Sequence, residues 1–519
     1  MPAKKHGEHR VGAQANSELS LANRSAPFQL FWGDLHNHNA VGYAKGSLER
    51  SIDLAREHLD FFAFTGHASW HDMPKMPGDR HLKWVHGFEA HSKHWPKTKK
   101  LIHEANTDDF VAILGYEWHS SHFGDFCVLW PDDEGELFLP DHADKLLDFT
   151  HEHGGYAIPH HVGYKQGWRG ANWKYYRHET APVVEIFSEH GCTETERSPF
   201  PMIRHSNGGR STANLVQRQL QKGMRFGFVA SSDDHLGYPG GYGEGVVGVW
   251  AEELTRKALF EAVQARRTYA ATGDRIALEV TLNETPMGGE VDTTADRQID
   301  VRVVGQDSVK MIELVRNGRV IERHFPEDDV RGPITLPGRA KCRLQYGWGP
   351  WAALGLGRVC DWDMTIRLEG GRIVRSLPCF QNVPFGEDLR DRLQVVSENE
   401  IRVQSPTTRV ESYGEDPTKS IVLEFDGGPE SQLIVSLKKP IEKTYTSKLA
   451  DLAVDNVVEF TGVFTSESFI IGQLLAPSEY TANVRWTDRR AETKEADWYY
   501  VRVTQNNGHM AWSSPIWVG

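Results

Sequence analysis

Apolar residues along this chain follow two regimes. Unbroken apolar runs at 28–32, 61–64, 110–114, 155–158, 183–187 and 226–230 alternate with stretches of helical spacing at 47–58, 145–153, 215–222 and 255–265. In 47–58, Leu48, Ile52, Leu54 and Ala55 recur on one helix face. Runs apolar on both faces predict buried strands, and their alternation with helices predicts a parallel sheet, open or closed into a barrel. Beyond residue 275 the helical spacing disappears. Strand-like runs take over at 276–282, 299–304, 311–316, 364–368, 421–425, 433–437, 457–460, 483–486 and 498–504, with hairpin signals at Asn317-Gly318 and Asn507-Gly508. The pattern predicts a flexible polar lead over 1–27, an α/β unit over 28–275, and an all-β, sandwich-like region over 276–519, built as one module or two.

Composition narrows the function classes. A chain of 519 residues exceeds what one core usually organises. The formal net charge of −13 argues against a broad nucleic-acid or membrane surface, while leaving room for a local basic pocket that takes an anionic small molecule. Five scattered cysteines without a CxxC pair fit buried free thiols in a reducing compartment. The start carries no signal-peptide pattern, and no run reaches the roughly 18 apolar residues a membrane span needs. A cytoplasmic enzyme is the expectation. The β-rich half offers surface for a partner or for homo-oligomerisation, without residues that identify a ligand.

Histidine changes the picture. Twenty-one of the 25 histidines lie between His36 and His235. Four segments place them, with carboxylates, at strand ends: Asp34-Leu35-His36-Asn37-His38, Gly115-Tyr116-Glu117, Pro159-His160-His161 and Ser232-Asp233-Asp234-His235. Imidazole with carboxylate suits Zn, Mn or Fe, and strand ends are where barrels place their chemistry. His36 and His38 are two apart, so extended backbone points both imidazoles the same way. The same period pairs Asp233 with His235 and leaves Asp234 facing away or acting on a proton. Adjacent His160 and His161 should face opposite ways, so one of them is expected inside. Glu117 ends a buried run, where a carboxylate is costly unless paired or metal-bound. Asp34 is expected to orient a ligand imidazole. His67, closing the 61–64 strand, is a further candidate. Trp70, His71, Trp168, Arg169 and Arg204 are expected at the mouth of the site, with Arg169 as anion anchor. The glycine-rich 238–245 stretch lacks the Lys-Ser/Thr ending of a nucleotide loop and reads as a flexible cover.

Taken with the 59–67 stretch ending Thr65-Gly66-His67, these segments resemble the successive motifs of the polymerase-and-histidinol-phosphatase (PHP) superfamily. The stretches 266–273, 498–503 and 511–515 look like a large branch of it with an appended β-domain. The resemblance covers 28–280 well and the remainder loosely. It implies a distorted (β/α)7 barrel with a C-terminal all-β domain and two or three divalent ions. On that basis His36, His38, Glu117 and Asp233 would hold one ion, Glu117 with His160 or His161 a second, and His67 with His235 a third. Two departures stand out: the family's Thr-Asp-His is Thr65-Gly66-His67 here, and no histidine follows within 39–46.

The leading functional expectation is a metal-dependent hydrolase of a phosphate mono- or diester, with Arg169 assisting on the anion and Asp234 or a spare histidine protonating the leaving group. A rival keeps the metals and cleaves a carbon ester or amide, favoured by the indole-rich rim and the few cations near the motifs. A third is a catalytically inactive metal- or ligand-binding protein, opposed by the intact set of His, Glu and Asp.

Overall fold

The computed structural model describes residues 28–202, 204, 210–328, 334–412, 414–490 and 496–519; the lead expected over 1–27 lies outside the described residues. The chain forms two compact units, one from 28–328 with 481–519, the other from 334–480. The first is mixed α/β and holds every candidate ligand.

Its strands begin as expected. β1 (Gln29–Asp34), β2 (Phe61–Phe64), β3 (His67–Trp70) and β4 (Val111–His119) run parallel, β2 pairing with the start of β4 and β3 with its end. The purely parallel expectation then needs correction. β5 (Asp125–Leu129) lies antiparallel between β4 and β6 (Tyr156–His160). Only residues 120–124 join β4 to β5, too few for a parallel crossover, so the chain can only turn back. The turn closes at Gly124, whose φ of +93° and 2.8 Å from a built Cβ to the Ala171 Cα both exclude a side chain. β7 (Val183–Ser188), β8 (Gly191–Cys192) and β9 (Gly227–Ala230) form a separate three-stranded sheet. β10 (Val246–Ala251) lies antiparallel on the other edge of β1, followed by β11 (Thr268–Ala271).

The helices are α1 (Leu48–His58), α2 (Leu82–Ala105), α3 (Ala143–Glu152), α4 (Val216–Leu220) and α5 (Arg256–Gln264). Among the described residues there is no regular one-helix-per-strand (β/α)7 pattern. α1 starts where the Ser47 hydroxyl accepts from the Arg50 N–H, and it buries Leu48, Ile52, Leu54 and Ala55 as its spacing requires. α2, the longest, is not foreseen from the sequence. Its inner stripe is Gly87, His91, Trp95, Thr98 and Ile102, with Pro96 inside the helix, so the apolar periodicity is diluted by polar and small residues.

Alternate strand residues build two cores. Phe61, Ala63, Val111, Ile113, Cys127, Ile158, Val183, Val229 and Val247 belong to the inner one. Val184, Ile186, Phe228 and Ala230 face the other way and pack on Trp498, Tyr500, Met510 and Trp512. The outer face of β7 and β9 is therefore covered by strands near the C-terminus, where a parallel sheet would ordinarily carry helices.

This divides the all-β region expected over 276–519. The strand Met510–Ser513 pairs with β11, Val309–Arg316 pairs with Asp497–Gln505, and Asp296–Val304 bridges Ala277–Leu282 to Thr481–Arg489. Residues 276–328 and 481–519 thus belong with the α/β unit. Glu194, fully buried, ties them down: its carboxylate accepts from the Trp512 Nε1–H at 2.9 Å, from Arg502 at 3.2 Å, and from the Tyr500 hydroxyl. The second unit is a single eight-stranded antiparallel sheet whose strands Val359–Cys379 and Lys419–Lys439 each run 21 residues through register shifts. Its ladders are continuous through the register shift at Glu369–Gly371.

Trp512 is 0% exposed, with its ring 6.1 Å from Phe187 on β7 and 6.3 Å from Phe200. Trp512→Ala should lower the stability of the α/β unit by about 3–5 kcal/mol, seen as a lower urea midpoint. An unchanged midpoint would mean the strands near the C-terminus do not support that unit.

Candidate metal centre

The HxH segment leaves β1 still extended, laced between two neighbours. Asp233 N–H donates to His36 O at 2.8 Å, His38 N–H donates to Asp234 O at 2.9 Å, and Asn37 N–H donates to Thr65 Oγ1 at 3.0 Å on the opposite side. Both imidazoles consequently face inward, with their Nε2 atoms 3.1 Å apart. Asp233 Oδ1 lies 3.2 Å from His36 Nε2 and 2.8 Å from His38 Nε2, and Glu117 Oε2 lies 4.0 and 3.5 Å from the same two nitrogens. Two donors bound at about 2.1 Å to one tetrahedral ion are about 3.4 Å apart, so these edges have the size of a coordination polyhedron.

Glu117 is the hub. It stands on β4 in register with His67 on β3 and Cys127 on β5. Its Oε1 meets His160 Nε2 at 2.8 Å and His119 Nε2 at 2.9 Å, and its Oε2 meets His67 Nε2 at 3.4 Å. Asp233 is a second hub: its Oδ2 faces His161 Nε2 at 2.7 Å and His190 Nε2 at 3.3 Å. Both carboxylates thus present separate oxygens to separate imidazole groups, and the sequence reading had given that bridging position to Glu117 alone.

Divalent ions fit this set. Glu117 Oε2 is buried without a hydrogen-bond donor, which is costly for an ionised oxygen. His119 Nδ1 donates to Ser69 O at 2.9 Å, which in the neutral ring leaves Nε2 as a lone pair; that atom is buried, lacks a hydrogen-bond partner, and sits 2.9 Å from a carboxylate oxygen. Two electron-rich atoms at that distance need a proton or a metal ion between them. The groups His36–His38–Asp233, Glu117–Asp125–His160–His161, His67–Glu117–His119 and His38–His67–His235 each bring their ligand atoms within 4.8 Å of one another.

The electrostatics agree. Burial pushes the Glu117 carboxyl up, but the neighbouring imidazoles, His119 first, outweigh it in their protonated forms and hold the group well below the usual carboxylate range. Burial likewise raises Asp233, and His36, His190 and His161 bring it well below. Burial, with His235 nearby, holds His38 down to about 3, and burial with His38 lowers His67, so both keep the free lone pair a metal needs.

Three of the residues around the site have left-handed backbone: His161 (φ 50°), Arg169 (φ 68°) and Asp233 (φ 53°). This corrects the period-of-two reading. β6 ends at His160, and the turn at His161 brings its imidazole round to Asp233, so both adjacent histidines enter the cluster. Asp233 and His235 also lie on a curved segment. His235 Nδ1 bonds to the Asp233 carbonyl at 2.8 Å, with Glu189 Oε1 at 3.3 Å.

Three expected roles are displaced. Asp234 points away from the cluster, where its Oδ1 accepts from the Leu236 and Tyr238 N–H groups at 2.9 and 2.6 Å. It therefore anchors the glycine-rich loop and does not face the reacting atoms. Asp34 accepts from the backbone of His36, Ser232 and Gly240 at 3.1, 3.1 and 2.8 Å, so it orients backbone and not an imidazole. With Asp34 holding Gly240 and Arg50 holding Gly237, the 238–245 stretch is fastened to the unit and is no loose cover. Arg169 lies beside the site with its Nε and Nη2 each 2.8 Å from Asp125 Oδ2 and its Nη2 3.8 Å from Glu117 Oε1, so that edge of its fork is already engaged. Of the other residues expected at the mouth, Trp168 is 60% exposed, Arg204 is exposed, and His71 is exposed with its ring stacked on Trp118 at 5.4 Å.

The sequence reading missed His119, Asp125, Glu185 and His190. His119 follows Glu117 by two on the same strand, and His190 follows the end of β7, so the rules applied elsewhere would have found both. Glu185, whose Oε2 lies 3.0 Å from His36 Nδ1, supplies the orienting carboxylate assigned to Asp34. The missing acid at Gly66 has a steric cause: a Cβ there would lie 2.6 Å from the Val41 carbonyl oxygen and 2.5 Å from the Phe64 ring.

Comparison with known proteins gives limited relatives. Residues 241–284 match the family described as "Protein of unknown function (DUF3604)". An uncharacterized protein of Chlamydia pneumoniae is 32% identical over 334 residues, covering 59% of this chain and 50% of that one. An uncharacterized protein of Chlamydia muridarum (strain MoPn / Nigg) is 27% identical over 331 residues, covering 57% and 49%. The chain spans about half the length of the curated relatives it matches. Among solved structures, a two-domain protein from Bacteroides vulgatus containing a predicted PHP-like metal-dependent phosphoesterase aligns over 86% of this chain and 100% of its own, at TM-score 0.34 and 12% identity. A superposition at that level does not establish a common fold.

Glu185→Gln should weaken metal affinity about 10- to 100-fold in a competition titration with a chromophoric chelator, because the His36 ring loses its charged partner. Unchanged affinity would remove Glu185 from the centre. Gly66→Asp should not restore a ligand; it should lower stability, read by thermal melting, because the Val41 backbone occupies the space.

Proposed function

We propose that the α/β unit is a metal-dependent hydrolase whose substrate is a phosphate mono- or diester. The observation that carries this is the pair of buried hub carboxylates, Glu117 and Asp233, each dividing its two oxygens between imidazole groups on different strands. Bound divalent ions supply Lewis acidity there and lower the pKa of a water to near neutrality.

The chain's own residues do the rest. His36, His38, Glu117 and Asp233 would hold one ion; Glu117, Asp233, His160 and His161, with His190, a second; His67, His119 and His235 are the donors available to a third. Glu185 holds the His36 ring in one orientation. Asp125 and Glu117 hold Arg169 at the edge of the cluster, where its charge favours an anionic group. With Asp234 committed to its loop and two ions bound, the proton for a leaving alkoxide falls to His235, the imidazole outside both of those ion sites, whose side chain is 33% exposed against 0–5% for His36, His38, His160 and His161.

A second reading, hydrolysis of a carbon ester or amide, is favoured by one observation: the sole guanidinium beside the cluster among the described residues is already paired with Asp125.

Protein purified without chelator and supplied with Mn should turn over phosphoesters, and EDTA should abolish the activity. His36→Ala and Glu117→Ala should each lose bound metal, by elemental analysis, together with turnover, while the sheet of the 334–480 unit keeps its circular dichroism. Wild-type metal content and rate in either variant would refute the site. Turnover confined to amides or carboxylic esters would select the second reading.

A further inference from the structure

The inner stripe of α2 runs out of the core and ends at the metal centre. Trp95 (8% exposed) and His91 (0%) are buried, but Phe88 and Trp84, one and two turns nearer the N-terminus, emerge half-buried. There they meet two more half-buried rings. Tyr43 lies 6.2 Å from Trp84 and 6.1 Å from Phe88, and Trp70 lies 6.4 Å from Trp84 (centroid distances). These rings also border the ligands: Tyr43 stacks on His67 at 3.8 Å, while Trp70 and Phe88 each lie 6.0 Å from His119.

Four large aromatic side chains gathered in a core would be fully buried, as Trp32, Trp118 and Trp130 are at 0–1% exposure. Part-exposed and contiguous beside a buried polar centre, they offer an apolar wall on which a ligand ring can lie. Trp70 is also fixed in place: its Nε1–H donates to Ser121 Oγ at 3.0 Å, and the Arg169 guanidinium carbon lies 5.1 Å over its ring. The charged end of the site and the ring-lined end therefore share a side chain contact, through Arg169 and Trp70.

We infer that the group leaving or retained next to the scissile bond carries a planar aromatic ring, held by Tyr43, Trp70, Trp84 and Phe88. For its anionic end this rests on the hydrolase reading above. Ring contacts of this kind contribute up to about tenfold each in affinity.

The test is calorimetric titration of the metal-loaded full chain with phenylphosphonate and methylphosphonate, which needs no turnover. The phenyl compound should bind at least about tenfold more tightly. Trp84→Ala and, as a milder replacement, Phe88→Leu should shrink that ratio to within about threefold, with metal content and methylphosphonate affinity unchanged; Phe88→Leu decides the matter if Trp84→Ala loses metal. Phenylacetate and acetate form a parallel pair. If neither phosphonate binds but phenylacetate exceeds acetate with the same dependence on Trp84 and Phe88, the ring wall stands and the phosphorus reading falls. If no ring-bearing ligand exceeds its methyl counterpart, or the ratio survives both substitutions, the inference is overturned.

Discussion

Glu117 sets the terms for the rest of the α/β unit. It is a carboxylate at 1% exposure, deep on β4, with imidazoles from β3, β4, β6 and the segment after β1 aimed at its two oxygens. Isolated, such a charge would be several kcal/mol unfavourable. Here the strands that build the inner core also fix where its partners stand. β3 pairs with the end of β4 so that His67 lies opposite Glu117, and β5 brings Cys127 opposite it on the other side, toward His160. Packing and electrostatics are one problem at this position. The apolar lower halves of the strands stabilise the arrangement that the polar ends require.

Much of this was legible in the sequence because it depends on local period. The extended run through His36 and His38, and the buried runs preceding Glu117, His160 and Asp233, follow from alternation alone. What alternation could not show is where the backbone leaves the strand. His161 and Asp233 have φ near 50°, and no residue type signals that in advance. One histidine was therefore expected inside where two enter, and Asp234 was given a proton that its two backbone bonds show to be irrelevant to the cluster.

The division of the chain illustrates a different limit. Strand-like runs identify strands but not their partners. The runs at 309–316 and 497–518 look no different from those at 359–379 or 419–439, yet the former complete the α/β unit and the latter form their own sheet. The decisive residues are Trp498, Tyr500 and Trp512, whose rings fill the outer face of β7 and β9, and Glu194, which binds two of the same side chains. A helix in that place would have revealed itself by spacing. α2 failed to do so for the opposite reason, since its buried stripe contains Gly87, His91 and Thr98.

The charge arithmetic of the centre bears on what it can bind. Asp125 is balanced by Arg169, so it adds no net charge. Glu117, Asp233, Glu185 and Glu189 remain as the acids touching the imidazole cluster, and at position 66 the Val41 carbonyl leaves no space for another. Two divalent ions would match those four acids in charge, and a third ion on His67, His119 and His235 would add its whole charge, because imidazole ligands are neutral. A centre left cationic after its own ligands are counted draws an anion and holds it more firmly as negative charge develops.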